Sequence, residues 1–323
     1  MNIESFQSKI HDLFMTLGQL RVLLAVAKHG SVSQAAVELS VTQPAVSAGV
    51  AALERELGVA LVTRNGRGIR LTPSGEALVR FARQSLALLE QGRDAALAAS
   101  RPGHGRLRIA AVTTAGEYVV PPILNAFQRR YPDVEIALEV SNRALVLERL
   151  TTREADLAVG GRPPQGGQVQ GQPVLRNDLV LIASPSHPLA GRGPVEPTAL
   201  DVTWLLREPG SGTRATTEEF LAAHGLQPRR ILTLGSNGAV KQAAAVGLGV
   251  TLISAQAVAL EFAAGTLTRL AVPGTPLRRQ WFALRLRDGY LPGPARAFLD
   301  FTATAAARRA VREALRSPRQ AAS

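Results

Sequence analysis

Apolar positions first recur in helical register at Leu17, Leu20, Leu24 and Ala27, and His29-Gly30 ends that run. Ser31 or Ser33 suits the cap of a second helix that turns Ala35, Ala36 and Leu39 inward. After a break at Ser40-Val41, Thr42 or Gln43 opens a third helix with Pro44 in its first turn, where proline is tolerated. Its apolar face is Ala45, Val46, Val50, Leu53 and Leu57, and Gly58 stops it. Two short helices joined by a tight turn, with alanines at the crossing, let the later helix stand out from its body. Such a cylinder, ~10–12 Å across, fits a DNA major groove. The period then changes to two in LVTRNGRGIRL (61–71) around Asn-Gly, predicting a β-hairpin that carries Arg64, Arg67 and Arg70 without an acid. From Thr72, a cap followed by Pro73, one helix is predicted to Ser100, with Leu78, Phe81, Ala82, Leu86, Leu89 and Ala96 on a stripe. That stripe calls for a partner surface. Arg101–Gly105 reads as a hinge.

Beyond the hinge, strands alternate with helices. Strands are predicted at 106–112, 135–140, 156–159, 178–184, 204–207, 231–235 and 250–254, with a long return strand at 278–286 and a last helix near Pro294–Ala310. Alternation of this kind implies α/β layers with parallel sheets. The lengths suit two small lobes with chain crossovers near 178 and 275, and a cleft at the strands' carboxyl ends. Thr113-Thr114, Asn142-Arg143, Arg162, Glu208, Ser211, Thr213, Arg214, Ser236 and Asn237 all follow predicted strands, several of them opening helices. Hydroxyls, free backbone N–H groups and guanidinium groups meeting there have the chemistry of an anion site. The run EPGSGTR lacks the Lys-Ser/Thr ending of a P-loop.

Composition adds a partner and removes several mechanisms. The 323 residues carry 37 Lys+Arg against 25 Asp+Glu, a formal +12 that favours anionic partners, nucleic acid first. By segment the excess is +2 in 1–100, +2 in 101–200, +4 in 201–300 and +4 in 301–323. The basic residues 311–323 are therefore expected to form a disordered tail. Zero cysteines exclude disulfides, thiolate metal sites and a Cys nucleophile. The uncharged run Gln242–Leu260 holds two glutamines and Gly247 and Gly249, and reads as helix, break, buried strand and helix rather than as a membrane span. No signal peptide is visible at the N-terminus. Five scattered histidines, no Gly-x-Ser-x-Gly and no carboxylate pair argue against an enzyme. A solute-binding module without DNA work is the other alternative.

Residues 31–78 as a block resemble the winged helix-turn-helix of LysR-type transcriptional regulators. The resemblance rests on Ala35-Ala36, Leu39, Thr42-Gln43-Pro44-Ala45-Val46-Ser47, Leu53-Glu54, Leu57-Gly58, Leu61, Arg64 and Leu71-Thr72 followed by Gly75. It implies DNA contacts from Ser33, Thr42, Gln43, Pro44, Ser47, Arg64 and Arg67. Gly49 and Ala51 depart from the pattern, since relatives often carry Gln or a basic residue there. The segments VTTAGEYVVPPIL, NRALVLERL, DLAVGGRPP, LLREPGSGTR, LGSNGAVKQAAAVGLGV and RRQWFALR resemble the effector domain of the CbbR subgroup, regulators of RuBisCO and Calvin-cycle operons.

The resemblance implies an α/β fold in four parts. These are a winged helix-turn-helix domain at 1–72 with 1–14 as an extra segment, a linker helix and hinge at 73–103, a two-lobed effector domain like type 2 periplasmic binding proteins at 104–310, and the tail. The lobes would be 104–177 with 276–310, and 178–275. It further implies a cytoplasmic dimer or tetramer that contacts promoter DNA and RNA polymerase. No cofactor is implied. The effector would be a small anion such as a phosphorylated sugar, phosphoenolpyruvate, NADPH or a carboxylate. Gly116-Glu117 departs from the subgroup, and Glu117 would repel an anion if it faced the cleft.

Overall fold

A computed structural model describes residues 15–66, 68–100 and 104–315. The chain forms two compact units, one running to Arg93 with Thr152–Glu154 added, the other made of the remainder.

In the first unit, Thr16 and Gln19 form a reciprocal capping box at the start of α1 (Leu17–His29), and Gly30 ends the helix with φ 60°. Ser31, rather than Ser33, caps α2 (Val32–Leu39), and Thr42 caps α3 (Gln43–Leu57). The axes of α2 and α3 differ by 105°. Leu20, Leu23, Val26, Ala35, Ala36, Val46, Val50 and Leu53 close the core beneath them. The hairpin forms as β1 (Val62–Asn65) and β2 (Gly68–Leu71), with Asn65 opposite Gly68. Its base is held by Glu54, whose carboxylate accepts from Leu61 N at 2.8 Å and Val62 N at 3.1 Å.

Helix α4 (Pro73–Ser100) starts on Thr72, whose hydroxyl donates to Ala60 O and accepts from Gly75 N. A β-carbon at Gly75 would lie 2.0 Å from Leu61 O, so only glycine lets this helix cross the strand. Leu78, Val79, Ala82 and Leu86 join the first unit's core. That packing explains why the unit boundary falls inside α4 and not at residue 72.

In the second unit, one lobe is a five-stranded sheet ordered β4-β3-β5-β12-β6, made of β3 (Gly105–Val112), β4 (Val134–Ser141), β5 (Leu157–Gly160), β6 (Val169–Arg176) and β12 (Gln280–Leu286). β3 runs parallel to β4 and β5, while β12 runs antiparallel to β5 and β6. Helices α5 (Thr113–Tyr118), α6 (Val120–Gln128), α11 (Gly293–Thr302) and α12 (Ala305–Ala314) bury one face around Phe127, Phe298 and Phe301, and α7 (Arg143–Thr151) covers the other with Val146 and Leu150. The other lobe places β7 (Leu179–Ala183) between β10 (Thr251–Ser254) and β11 (Thr268–Arg269), with β8 (Thr203–Arg207) parallel to β9 (Arg230–Leu234) and bridged to Val250. Helices α8 (Gly212–Ala223) and α9 (Asn237–Ala245) flank it, and α10 (Ala259–Ala264) follows β10. Two paired connections join the lobes, with Asn177 N donating to Arg279 O and Leu179 and Leu277 exchanging both backbone bonds.

Three expectations change. Strand β6 was not predicted, because Gly171 and Pro173 break its pattern; it is the sheet's edge, where a missing N–H is tolerated, and the register slips opposite Pro173. The predicted last helix is two, since Thr304 caps α12 anew. The tail boundary at 311 falls within α12, where Val311 is buried; residues 316–323 lie outside the described residues. Among the described residues no single helix is long and apolar enough to cross a membrane, and Gln242–Leu260 is helix end, strand β10 and helix starts.

Candidate functional site

In the first unit, Thr42, Gln43, Pro44 and Ser47 are all exposed at the N-terminal end of α3, and Ser33 is exposed at the start of α2. This is the end of a protruding helix that can present side chains to base edges. Thr42 is committed in part to the backbone, since its Oγ1 accepts from Ala45 N. Arg64 and Arg70 are exposed on the hairpin; Arg67 lies outside the described residues. Gly49 was read as a lost DNA-contacting side chain. It instead faces α1, where a β-carbon would sit 3.2 Å from Val22, so the glycine serves helix packing. Ala51 does lie on the exposed face with Ala48 and Ser47, and the exposed Arg55 one turn on donates to Ala51 O at 3.3 Å.

The second unit holds a cleft of about 280 Å³ between its lobes. From one lobe come Thr113 and Thr114 at the start of α5, Asn142 and Arg143 at the start of α7, and Gly161-Arg162 after β5. From the other come Arg207 and Glu208 at the end of β8, Ser211, Gly212 and Thr213 at the start of α8, and Thr216 and Glu219 one turn later. Asn177, Arg279 and Trp281, on the connecting strands, complete it. Three helix N-termini thus converge on one space, as the dipole argument requires for an anion. Asn142 and Ser211 accept from the backbone N–H groups of Leu145 and Arg214 as caps, which orients the first turns of α7 and α8.

Charge in the cleft is uneven. Arg207 is buried and paired through two nitrogens with Glu208, at 2.7 and 2.9 Å. Arg143, Arg162 and Arg279 have no carboxylate within 4 Å among the described residues. Arg143 donates only to Arg162 O, at 2.7 Å, and Arg279 donates to the Thr216 hydroxyl. Burial lowers the pKa of Arg143. Burial also lowers that of Arg279; Glu219 opposes this, while the neighbouring charges of Arg143 and Arg162 add to it. Guanidinium groups crowded together at a helix N-terminus are an arrangement that a bound anion relieves.

Arg214 and Ser236 do not join the cleft. At the third position of α8, the Arg214 side chain turns back to Glu218 at 2.8 Å, Arg207 O at 3.0 Å and Thr233 at 3.3 Å. Ser236 caps α9 by accepting from Ala239 N. Asn237 is fully buried behind the wall, bonded to Arg207, Thr114 and Glu117. Glu117 therefore accepts from an amide and does not line the cleft, and Gly116 is required by β4, whose Val140 would meet a β-carbon at 2.5 Å. Sequence reasoning missed Arg207 and Arg279. Both sat in predicted strands, at the last residue of WLLR and among the inward positions Arg279 and Trp281 of RRQWFALR, and strand ends were the available signal.

Comparison with known proteins finds relatives of both units. Residues 17–76 match the bacterial regulatory helix-turn-helix protein family, lysR type, and residues 100–307 match the LysR substrate binding domain. The chain is 38% identical over 293 residues to a RuBisCO operon transcriptional regulator of Acidithiobacillus ferrooxidans, covering 90% of this chain and 94% of that one. It is 36% identical over 290 residues to the transcriptional regulator CbbR of Rhodospirillum rubrum, covering 90% and 96%. Among solved structures, the CcmR regulatory domain of Synechocystis in complex with 2-PG is 37% identical, with a TM-score of 0.58, covering 61% of this chain and 95% of that one. Full-length CbnR complexed with its target DNA shares the fold at 23% identity and a TM-score of 0.65, covering 92% and 99%. With a protruding helix and wing in one unit, a hydroxyl- and guanidinium-lined cleft in the other, and these matches across both, the chain belongs to the LysR family of bacterial regulatory helix-turn-helix proteins.

Proposed function

We propose that this protein is a transcriptional regulator of carbon-fixation genes whose DNA binding or activation is set by a small anion in the interlobe cleft. The carrying observation is the set of Arg143, Arg162 and Arg279, which line the cleft with no carboxylate within 4 Å among the described residues. With Arg207 and the two carboxylates Glu208 and Glu219, the lining residues carry a net charge of +2, the complement of a phosphate monoester or a dicarboxylate. The volume of about 280 Å³ suits a small metabolite better than a dinucleotide such as NADPH. The Acidithiobacillus ferrooxidans relative is a RuBisCO operon transcriptional regulator, and the CcmR regulatory domain was solved in complex with 2-PG.

Gln43, Pro44 and Ser47 would read base edges, and Arg64 and Arg67 would hold phosphates. The exposed stripe of Phe81, Leu88 and Leu89 on α4 would pair two subunits, so that a two-fold dimer or a tetramer reads a pseudo-palindromic site and reaches RNA polymerase in the cytoplasm. The anion changes DNA binding only by favouring one arrangement of the lobes over another. The protein would act by binding and without turnover.

The test is a mobility-shift titration on the promoter of the divergently transcribed neighbouring gene, with and without 2-PG and phosphoenolpyruvate. Sequence-specific retention at moderate salt that shifts with an anion is expected. Retention no stronger than on unrelated DNA would overturn the reading.

A further inference from the structure

We propose that Arg207 and Asn237 are positioning residues that preset the Thr114 hydroxyl as a hydrogen-bond donor into the cleft, making this wall selective for an acceptor-only group such as a phosphate or carboxylate oxygen. The inference deepens the anion reading of the cleft and rests on it.

The chain of bonds has one polarity. A guanidinium only donates. Asn237, the first residue of α9, must therefore turn its Oδ1 to Arg207 Nη1, and the observed bond does so. This fixes the amide, whose Nδ2 then faces two acceptors, Thr114 Oγ1 at 3.1 Å and a Glu117 carboxylate oxygen at 3.0 Å. Both amide hydrogens are used and the side chain is fully buried, so it has no alternative partner in water. The Thr114 oxygen thus receives a hydrogen bond from behind, and its own proton is left for the cleft it lines. The Thr113 oxygen also accepts from Arg207 Nη2 at 3.4 Å, but its hydroxyl donates to Ser141 O, so only Thr114 has its proton left for the cleft.

The arrangement also gives Glu117 a purpose. Its charge holds the second amide hydrogen and prevents Asn237 from rotating. Arg207 is itself held in plane by the two-nitrogen contact with Glu208. A ligand group that can only donate, such as an ammonium, meets a donor at Thr114 and is disfavoured, whereas an anionic oxygen is met without any reorientation.

The experiment measures binding of 2-PG and inorganic phosphate to the full-length protein by calorimetry. Asn237→Asp keeps an acceptor toward Arg207 but puts a second acceptor against Thr114, turning its proton away from the cleft. Affinity for both anions is expected to fall about tenfold or more. Thr114→Val should lose a similar factor, and the double variant Asn237→Asp/Thr114→Val should lose little more than either alone. Asn237→Ser, which removes the amide without adding charge, replaces the first variant if that one does not fold, and should lose less than Thr114→Val. Unchanged affinity in the folded Asn237 variant, or losses that add fully in the double variant, would overturn the inference. Should the wild-type protein bind neither anion, the anion reading of the cleft falls and this inference with it.

Discussion

At the scale of single residues, the cleft separates arginines that hold the fold from arginines held ready. Arg214 is satisfied three times over by its own lobe and lies outside the cleft lining, so Arg214→Ala is expected to leave anion affinity within about twofold, its removal costing the bonds to Glu218, Arg207 O and Thr233. Arg279→Ala and Arg143→Ala remove donors without carboxylate partners, and each should weaken anion binding by about tenfold to a hundredfold. A thermal-shift series with and without anion checks both statements, and a parallel loss for Arg214→Ala would refute this assignment of roles. On the DNA side, Ser47→Arg should cost about 1–3 kcal/mol of operator binding with the fold intact, since the position is exposed and sits where a helix meets base edges. Equal retention of wild type and variant on operator DNA would count against α3 as the reading element.

At the scale of elements, glycines decide approaches that hydrophobic pattern does not announce. Gly75→Ala would force a β-carbon to within 2.0 Å of a backbone oxygen, so α4 must lift from the hairpin. A loss of about 1–3 kcal/mol is expected in chemical denaturation of the first unit, the range for overpacking a tight contact. Most caps, by contrast, were legible in the sequence. Ser31, Thr42, Thr72 and Ser211 each accept from a backbone N–H three residues on, as does Thr16, a cap that the apolar pattern of α1 does not announce, because short polar side chains satisfy the orphan groups of a helix start wherever they stand. The edge strand β6 was not legible, since its Gly171 and Pro173 make sense only once the sheet order puts them at a rim. On α4, Phe81 and Leu88 lie seven residues apart and exposed, so Phe81→Asp should shift the sedimenting species toward monomer.

At the scale of the whole molecule, the overall +12 is a poor guide to DNA affinity, because residues 1–100 contribute only +2 of it. The salt dependence of operator binding should instead follow the hairpin. Arg64→Ala is expected to reduce the slope of log affinity against log salt by about 1 while leaving sequence preference in place. Ligand linkage gives a second global observable, since an anion at a hundred times its dissociation constant should stabilise the cleft-bearing unit by about 2.7 kcal/mol. Most helices and strands in their order, the hairpin with its arginines and the two crossings between lobes were present in the sequence, whereas edge strand β6 and the break before α12 were not. What was present depends on local periodicity and on side chains acting within a few residues of themselves. Which arginine lines the cleft is decided only by tertiary structure. Arg207 stands at a strand end, Arg214 in the first turn of the helix that follows it and Arg279 beside an end of another strand, and the three differ in which neighbours compete for their donors. Glu208, Asn237 and Thr113 claim the first, Glu218 and Thr233 the second, and for the third nothing but the Thr216 hydroxyl is bonded, which leaves its charge to the cleft.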